Sequence, residues 1–244
     1  MRLLILGATS LIAQETAKNF AADGADMALV GRDEARLKSI AADLKVRGAG
    51  KTETLVADLA DLPGHAKLIE DAASAIGGID AVLIAHGTLV ENKLPEQSVE
   101  EMLAQMITNA LSYMSLMTLL ANRLEQQHSG CICVISSVAG DRGRKYNYVY
   151  GSAKAAVTAF SSGLRARLAT KGVSVVTIKP GPIDTPMTAS HKKTPLFGKA
   201  DAAGKRTYEA MLKGEDVVYV PWFWGPIMLV LRAIPERFFK KVSF

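Results

Sequence analysis

Short apolar runs alternate with longer stretches of helical periodicity along most of the chain. The runs occupy 2–6, 26–30, 51–57, 81–85, 131–135, 173–178 and 217–220. Most are apolar throughout rather than alternately polar, the pattern of strands covered on both faces. Between them, 11–22, 34–47, 63–76, 99–127 and 150–170 carry apolar residues three and four apart, as helices with one buried face do. This alternation predicts a parallel sheet wound on both sides by right-handed crossovers. The expected fold class is α/β, a doubly wound sheet of about seven strands in a single domain, 1–244.

The region 180–205 breaks the rhythm. It is rich in Pro, Thr, Lys and Gly, has no clear period and is expected to be a long loop. Loops of that length in compact domains are usually functional, so 180–215 is expected to supply a substrate lid of loop and helix. Residues 217–244 are expected to form a last strand and an apolar, basic tail.

Composition narrows the function classes. Of 244 residues 49% are apolar and 22% charged, enough for a large core and an ordinary polar surface. The net charge of +5 is scattered, without the basic arm or aromatic-interleaved stripe that nucleic acid requires. The exceptions are His191-Lys192-Lys193 and the C-terminal tail. The two cysteines, Cys131 and Cys133, stand two apart in a strand-like run. They are expected on one face, with neither disulfide nor metal spacing. The two cysteines without a disulfide framework suit a reducing cytoplasm, the expected setting; Met1 to Leu6 leads directly into a strand-like run, so no signal peptide is expected, and no run is long enough to span a bilayer.

The first strand ends in Gly7-Ala8-Thr9-Ser10-Leu11-Ile12-Ala13, which opens a helix. A turn of small residues there admits phosphate to the amides and positive dipole of a helix N-terminus. The second strand ends Val30-Gly31-Arg32-Asp33. An acidic residue at this position would bind ribose hydroxyls, whereas Arg32 suits a 2′-phosphate, so NADP is expected ahead of NAD. Asp58, followed by Leu59 after the third strand, reads either as an acceptor for an adenine amino group or as a helix cap. Asp61 is better placed for the second role.

The strongest chemical signal lies between Ser136 and Lys154. Tyr150 follows Ser137 by thirteen residues, and Lys154 stands four beyond it on the same helical face. Hydride delivered to a carbonyl carbon leaves an alkoxide that needs a proton. A phenol is a poor acid/base at neutral pH until a nearby ammonium lowers its pKa. Ser137 is expected to hold the carbonyl oxygen, and the Asn109 amide to hold a water that links Lys154 to bulk.

With these residues in place, the chain resembles the short-chain dehydrogenase/reductase family over essentially its whole length. The resemblance implies a Rossmann-like fold and the tetrad Asn109, Ser137, Tyr150 and Lys154. Pro180-Gly181, followed by Ile183-Asp184-Thr185, matches the turn that contacts nicotinamide in that family, where the Thr hydroxyl holds the carboxamide. It also implies cofactor contacts at Gly7, Thr9, Ser10, Leu11, Ile12, Arg32, Asp58, Leu59, Ala85, His86 and Gly87. Two stretches depart from the pattern. In the phosphate turn Leu11 replaces the second glycine and Ala13 the third, the latter a mild change because that position mainly needs a small residue, and Ala85-His86-Gly87 stands where the family has Asn-Ala-Gly. The lost Asn braces the central strand, so His86 or backbone groups must substitute.

The stretch Ser136–Arg144 with Asn147–Ser152 is similar to decaprenylphosphoryl-2-keto-ribose reductases, which also lack that second glycine, and the tail at 218–241 is similar to theirs. This implies a keto-sugar on a polyprenyl phosphate as substrate, with Arg142, Arg144 and Lys145 placed either to meet its phosphate or to form a solvated loop. In the tail, Trp222-Phe223-Trp224 and the apolar run 227–231 precede Arg232, Arg237, Lys240 and Lys241. It reads equally as an interfacial helix (a peripheral membrane contact) or lipid-binding groove, or as a core or oligomer-packing helix. The competing functions are a reductase of 3-oxoacyl or other small ketones and, from another class, a non-catalytic nucleotide-binding regulator. The resemblance further implies a homodimer or homotetramer built on the two long helices.

Overall fold

The computed structural model describes residues 1–89, 95–190 and 192–241. The seven strands are β1 (Arg2–Leu6), β2 (Asp26–Gly31), β3 (Thr52–Val56), β4 (Ala81–Ile84), β5 (Gly130–Ile135), β6 (Val173–Pro180) and β7 (Val217–Val220). All pairs are parallel, in the order β3-β2-β1-β4-β5-β6-β7. The order reverses at β1, which pairs with both β2 and β4, and a crevice opens beyond the carboxyl ends of strands at such a point.

The doubly covered strands follow from their sequences. Leu3 and Ile5 point into one core, Leu4 and Leu6 into the other, and all four are fully buried. The first core is closed by α1 (Leu11–Ala22), α2 (Glu34–Val46) and α7 (Ala200–Lys213). The second is closed by α3 (His65–Ile76), α5 (Ser112–Gln127) and α6 (Tyr148–Leu168). Cys131 and Cys133 share the first core as expected, buried and unbridged. Burying a Leu or Ile contributes about 1.5–3 kcal/mol, so the two-faced pattern accounts for most of the drive to this fold.

Three expectations change. The segment read as loop to 205 is helical from Ala200, because Ala203, Gly204, Thr207, Ala210 and Met211 form a buried face against α1. Gly204 lies directly on the backbone of Glu15 and Thr16. The single helix expected over 99–127 is α4 (Val99–Met106), a π-helical turn at Ile107–Leu111, and α5. Finally, Asp61 makes no side-chain capping bond. Two short helices, α8 (Trp224–Ala233) and α9 (Glu236–Phe239), follow β7. Among the described residues no helix is long and apolar enough to cross a membrane.

Candidate active site

A cavity of about 1020 Å³ opens at the carboxyl ends of the strands. It is lined by Gly7, Thr9, Ser10, Leu11, Ile12, Arg32, Asp58, Leu59, Ala85, His86, Gly87, Ser137, Tyr150, Lys154, Pro180, Gly181, Ile183 and Thr185. Thus every residue expected at the site from the sequence, except Asn109, shares one wall system. Asn109 is fully buried behind it.

At one end, the Gly7 and Ala8 amides both donate to the Val30 carbonyl, at 3.0 and 2.9 Å, and pin the turn to β2. Gly7 has φ +89°, and a Cβ there would stand 2.5 Å from the His86 nitrogen, so only glycine fits. Ser10 caps α1 with an extended backbone and no side-chain capping bond. The first amides of α1 have no partner within the helix and carry the positive end of its dipole, a fit for a pyrophosphate. Arg32 lines the cavity together with Arg36, which the sequence reading overlooked. The four-residue spacing from Arg32 was the available signal. Asp58 accepts from the Ala60 amide at 3.0 Å, so one carboxylate oxygen is engaged by its own turn.

At the other end, Ser137 ends β5 and Tyr150 lies in the first turn of α6. The Ser137 and Tyr150 side chains face the same cavity, and the serine hydroxyl, which accepts from the Ala139 amide at 3.1 Å, lies near enough to the phenol to favour its charged form. Their approach depends on close backbone packing that the sequence reading did not single out. Gly140 lies on the backbone of Lys154, and Gly151 on the Ala139 carbonyl. The Ser136 hydroxyl bonds the Lys154 carbonyl at 3.0 Å and the Thr158 hydroxyl at 2.7 Å. Glycines at a strand exit and in a helix's first turns were the sequence signal for such contact.

Two expected details are corrected. The ammonium was expected to pull the phenol down. Instead, burial pushes Tyr150 up to about 12, with the Ser137 hydroxyl opposing. Burial also pushes Lys154 down to about 7. The Lys154 Nζ lies 5.8 Å from the Tyr150 ring centre and donates to the Ile135 carbonyl at 3.0 Å, so desolvation outweighs attraction. Second, the Asn109 amide does not face a solvent path. Its Oδ1 accepts from the Thr88 amide, while Nδ2 donates to the Thr88 carbonyl and the Gln105 Oε1, each at 3.0 Å. It anchors the segment after β4 to the π-turn, a feature often found at functional sites.

His86 takes over the brace expected of the missing Asn. Its Nε2 meets the Ser112 hydroxyl at 2.7 Å, its carbonyl accepts from the Tyr113 hydroxyl, and its ring stacks on Tyr113 at 4.4 Å. Burial holds its imidazole well below the usual pKa, hence neutral.

The basic loop before Tyr150 divides. Arg142 was a candidate for a substrate phosphate. It instead donates to the carbonyls of Leu231 and Ile234, pairs with Glu236 and lies 3.6 Å from the Phe239 ring centre. A guanidinium suits this site because the carbonyls at the end of α8 lack helical partners. Arg144 lines the cavity, its Nη2 3.2 Å from the Met228 sulfur. Lys179, just before the Pro180-Gly181 turn, forms a buried ion pair with Asp141, which also accepts from the Tyr219 hydroxyl. Gly181 packs on the Trp224 indole, whose Nε1 donates to the Leu196 carbonyl. His191, part of the basic cluster noted in the sequence, lies outside the described residues.

The chain matches the short chain dehydrogenase family over residues 2–196. It belongs to that family. It is 33% identical over 240 residues to an uncharacterized oxidoreductase of Mycobacterium tuberculosis, covering 98% of this chain and 96% of that one. It is 30% identical over 243 residues to an uncharacterized oxidoreductase of Streptomyces coelicolor, covering 98% and 95%. Among solved structures it is similar to levodione reductase, with a TM-score of 0.81 and 21% identity, covering 90% of this chain and 95% of that one. That likeness concerns the fold. Membership makes the protein an oxidoreductase that uses a nicotinamide nucleotide, with a Rossmann-like fold.

Proposed function

We propose that the protein is an NADP(H)-dependent reductase that converts a ketone to a secondary alcohol. The observation that carries this reading is the convergence of Ser137 and Tyr150 on one cavity wall, with Lys154 one turn further along α6. A bound nicotinamide supplies the hydride. The pyrophosphate would rest on the Gly7–Ile12 turn, the 2′-phosphate beside Arg32 and Arg36, and the nicotinamide against Pro180, Gly181, Ile183 and Thr185. Ser137 holds the carbonyl oxygen, and Tyr150 donates its proton as the alkoxide forms. A phenol raised to about 12 stays neutral at physiological pH, and it is still far more acidic than the aliphatic alcohol it protonates. Lys154 stabilises charge developing on the phenol, and Asn109 holds the loop that faces it.

The finer reading of the substrate is a keto-sugar on a polyprenyl phosphate. Arg144 and Lys192 in the cavity lining offer cations for a phosphate. Trp222, Leu229 and Val230 on and beside α8 leave exposed apolar surface for a lipid chain or a membrane. Exposed Val99, Leu103 and Leu111 along the α4–α5 helix offer a face for the expected homo-oligomer.

The test follows oxidation of NADPH and NADH against polyprenylphosphoryl 2-keto-ribose, 3-oxoacyl thioesters and small ketones. Turnover of the first supports the finer reading, and turnover of the others alone replaces it. Tight nucleotide binding with no turnover on any of them would make the protein a regulator. Tyr150→Phe is expected to lower turnover about 10²–10⁴-fold with nucleotide affinity unchanged.

A further inference from the structure

Lys154 places an amine in a dry site. Only 3% of its surface is exposed, and no carboxylate among the described residues pairs with it. Its hydrogen-bond partner is the Ile135 carbonyl. An unpaired buried cation is costly unless something negative faces it.

What faces it is an aromatic ring. The Nζ stands 4.3 Å from the centre of the Tyr113 ring, nearer than to Tyr150 and well within cation–π range. Tyr113 is fully buried on α5, so the π-face is desolvated, the condition in which this attraction is strongest. The ring is also held in place. His86 stacks on it at an interplanar angle of 29°, and the His86 carbonyl accepts from the Tyr113 hydroxyl. The His86 Nε2 bonds the Ser112 hydroxyl, which donates to the Thr108 carbonyl at 2.7 Å, in the π-turn that carries Asn109. The departure at His86 and the residues Ser112 and Tyr113 therefore form one assembly.

We propose that Tyr113, clamped by His86, is a positioning residue that seats the Lys154 amine through its π-face and favours its charged form. The titratable groups around the amine are Tyr150 from its own helix, Tyr113 from α5, His86 from the end of β4 and, behind Tyr113, Cys133 from β5. His86 and the phenols are neutral at pH 7, and among the described residues no anion competes for the seat.

The experiment reads the amine itself and needs no substrate, so it stands or falls separately from the proposed reductase activity. The full-length protein is labelled with ¹³Cε-lysine, Lys154 is assigned with Lys154→Arg, and its pKa is followed by NMR. Position 113 carries Tyr, Phe, and then mono-, di- and trifluorophenylalanine, which keep the ring's shape while draining its negative face. Tyr113→Phe is expected to leave the Lys154 pKa within a few tenths. Successive fluorines are expected to lower it stepwise, by about one unit in all. Tyr113→Leu is expected to fall at or beyond the end of that series. A pKa that stays flat across the fluorinated series would overturn the proposal, whatever Tyr113→Leu does to folding. His86→Ala, expected to lower the value by less, tests the clamp.

Discussion

Gly140 lies against the backbone of Lys154, so closely that a Cβ at position 140 would stand 2.6 Å from the Lys154 carbonyl carbon. This contact sets the distance between the Ser137 turn and the helix that carries Tyr150. Gly140→Ala is expected to force the two apart, lowering stability by about 1–3 kcal/mol as overpacking does. Turnover should fall more than nucleotide affinity, because the Ser137–Tyr150 spacing is lost while the Gly7 turn is untouched. Thermal unfolding and steady-state kinetics on the same variant check both effects.

Arg32 and Arg36 share the adenosine end of the cavity. Hydrogen bonds to charged groups contribute about 1.5–3 kcal/mol. Arg32→Ala or Arg36→Ala should therefore weaken NADPH binding by roughly ten- to a hundredfold, with little change for NADH. Titration of both nucleotides by intrinsic fluorescence checks this. Equal losses for the two would remove the argument for the 2′-phosphate.

The buried amine also marks the stability profile. In the folded chain Lys154 titrates near 7, against 10.5 for a free lysine. Between those values the unfolded state binds more protons, so this group makes stability rise with pH. Below about 7 both states are protonated and the full cost of the buried charge is felt. Tyr150 acts in the next window: its folded value near 12 exceeds the free value of 10, so its contribution falls as pH rises from 10 to 12. Urea unfolding between pH 6 and 10 should show the rise, and Lys154→Met should flatten it.

Arg142 ties the end of α8 to the loop that leads to Tyr150. Arg142→Ala leaves the Leu231 and Ile234 carbonyls without that donor, at an expected cost of about 1–3 kcal/mol. Limited proteolysis should then cut within 222–241 before it cuts the sheet. Arg144→Ala should leave that segment protected.

The layout of strands and helices was legible because it depends on local pattern. Leu3 to Leu6 alternate between two cores, and a run apolar on both faces has only a doubly covered sheet to enter. The spacing of Ser137, Tyr150 and Lys154 was legible because four residues along a helix bring side chains to one face. The turn at Gly7 was legible in the same local way, as a small-residue step from strand to helix. Reading 200–205 as loop failed because α7 owes its register to packing on α1, a partner nearly two hundred residues away.

What a side chain meets across the fold was beyond the sequence. Arg142 and Arg144 stand two apart with the same chemistry, yet one caps α8 and the other lines the cavity. Asn109 bonds Thr88 and Gln105 rather than facing solvent, because the π-turn directs it inward. The sequence by itself determined a doubly wound sheet and the residue types at its carboxyl edge, since periodicity and short spacing are properties of the chain. Only the tertiary structure decided that Lys154 sits dry on Tyr113 and that Tyr150 is raised rather than lowered. Desolvation and partner choice depend on which distant segments close around a group.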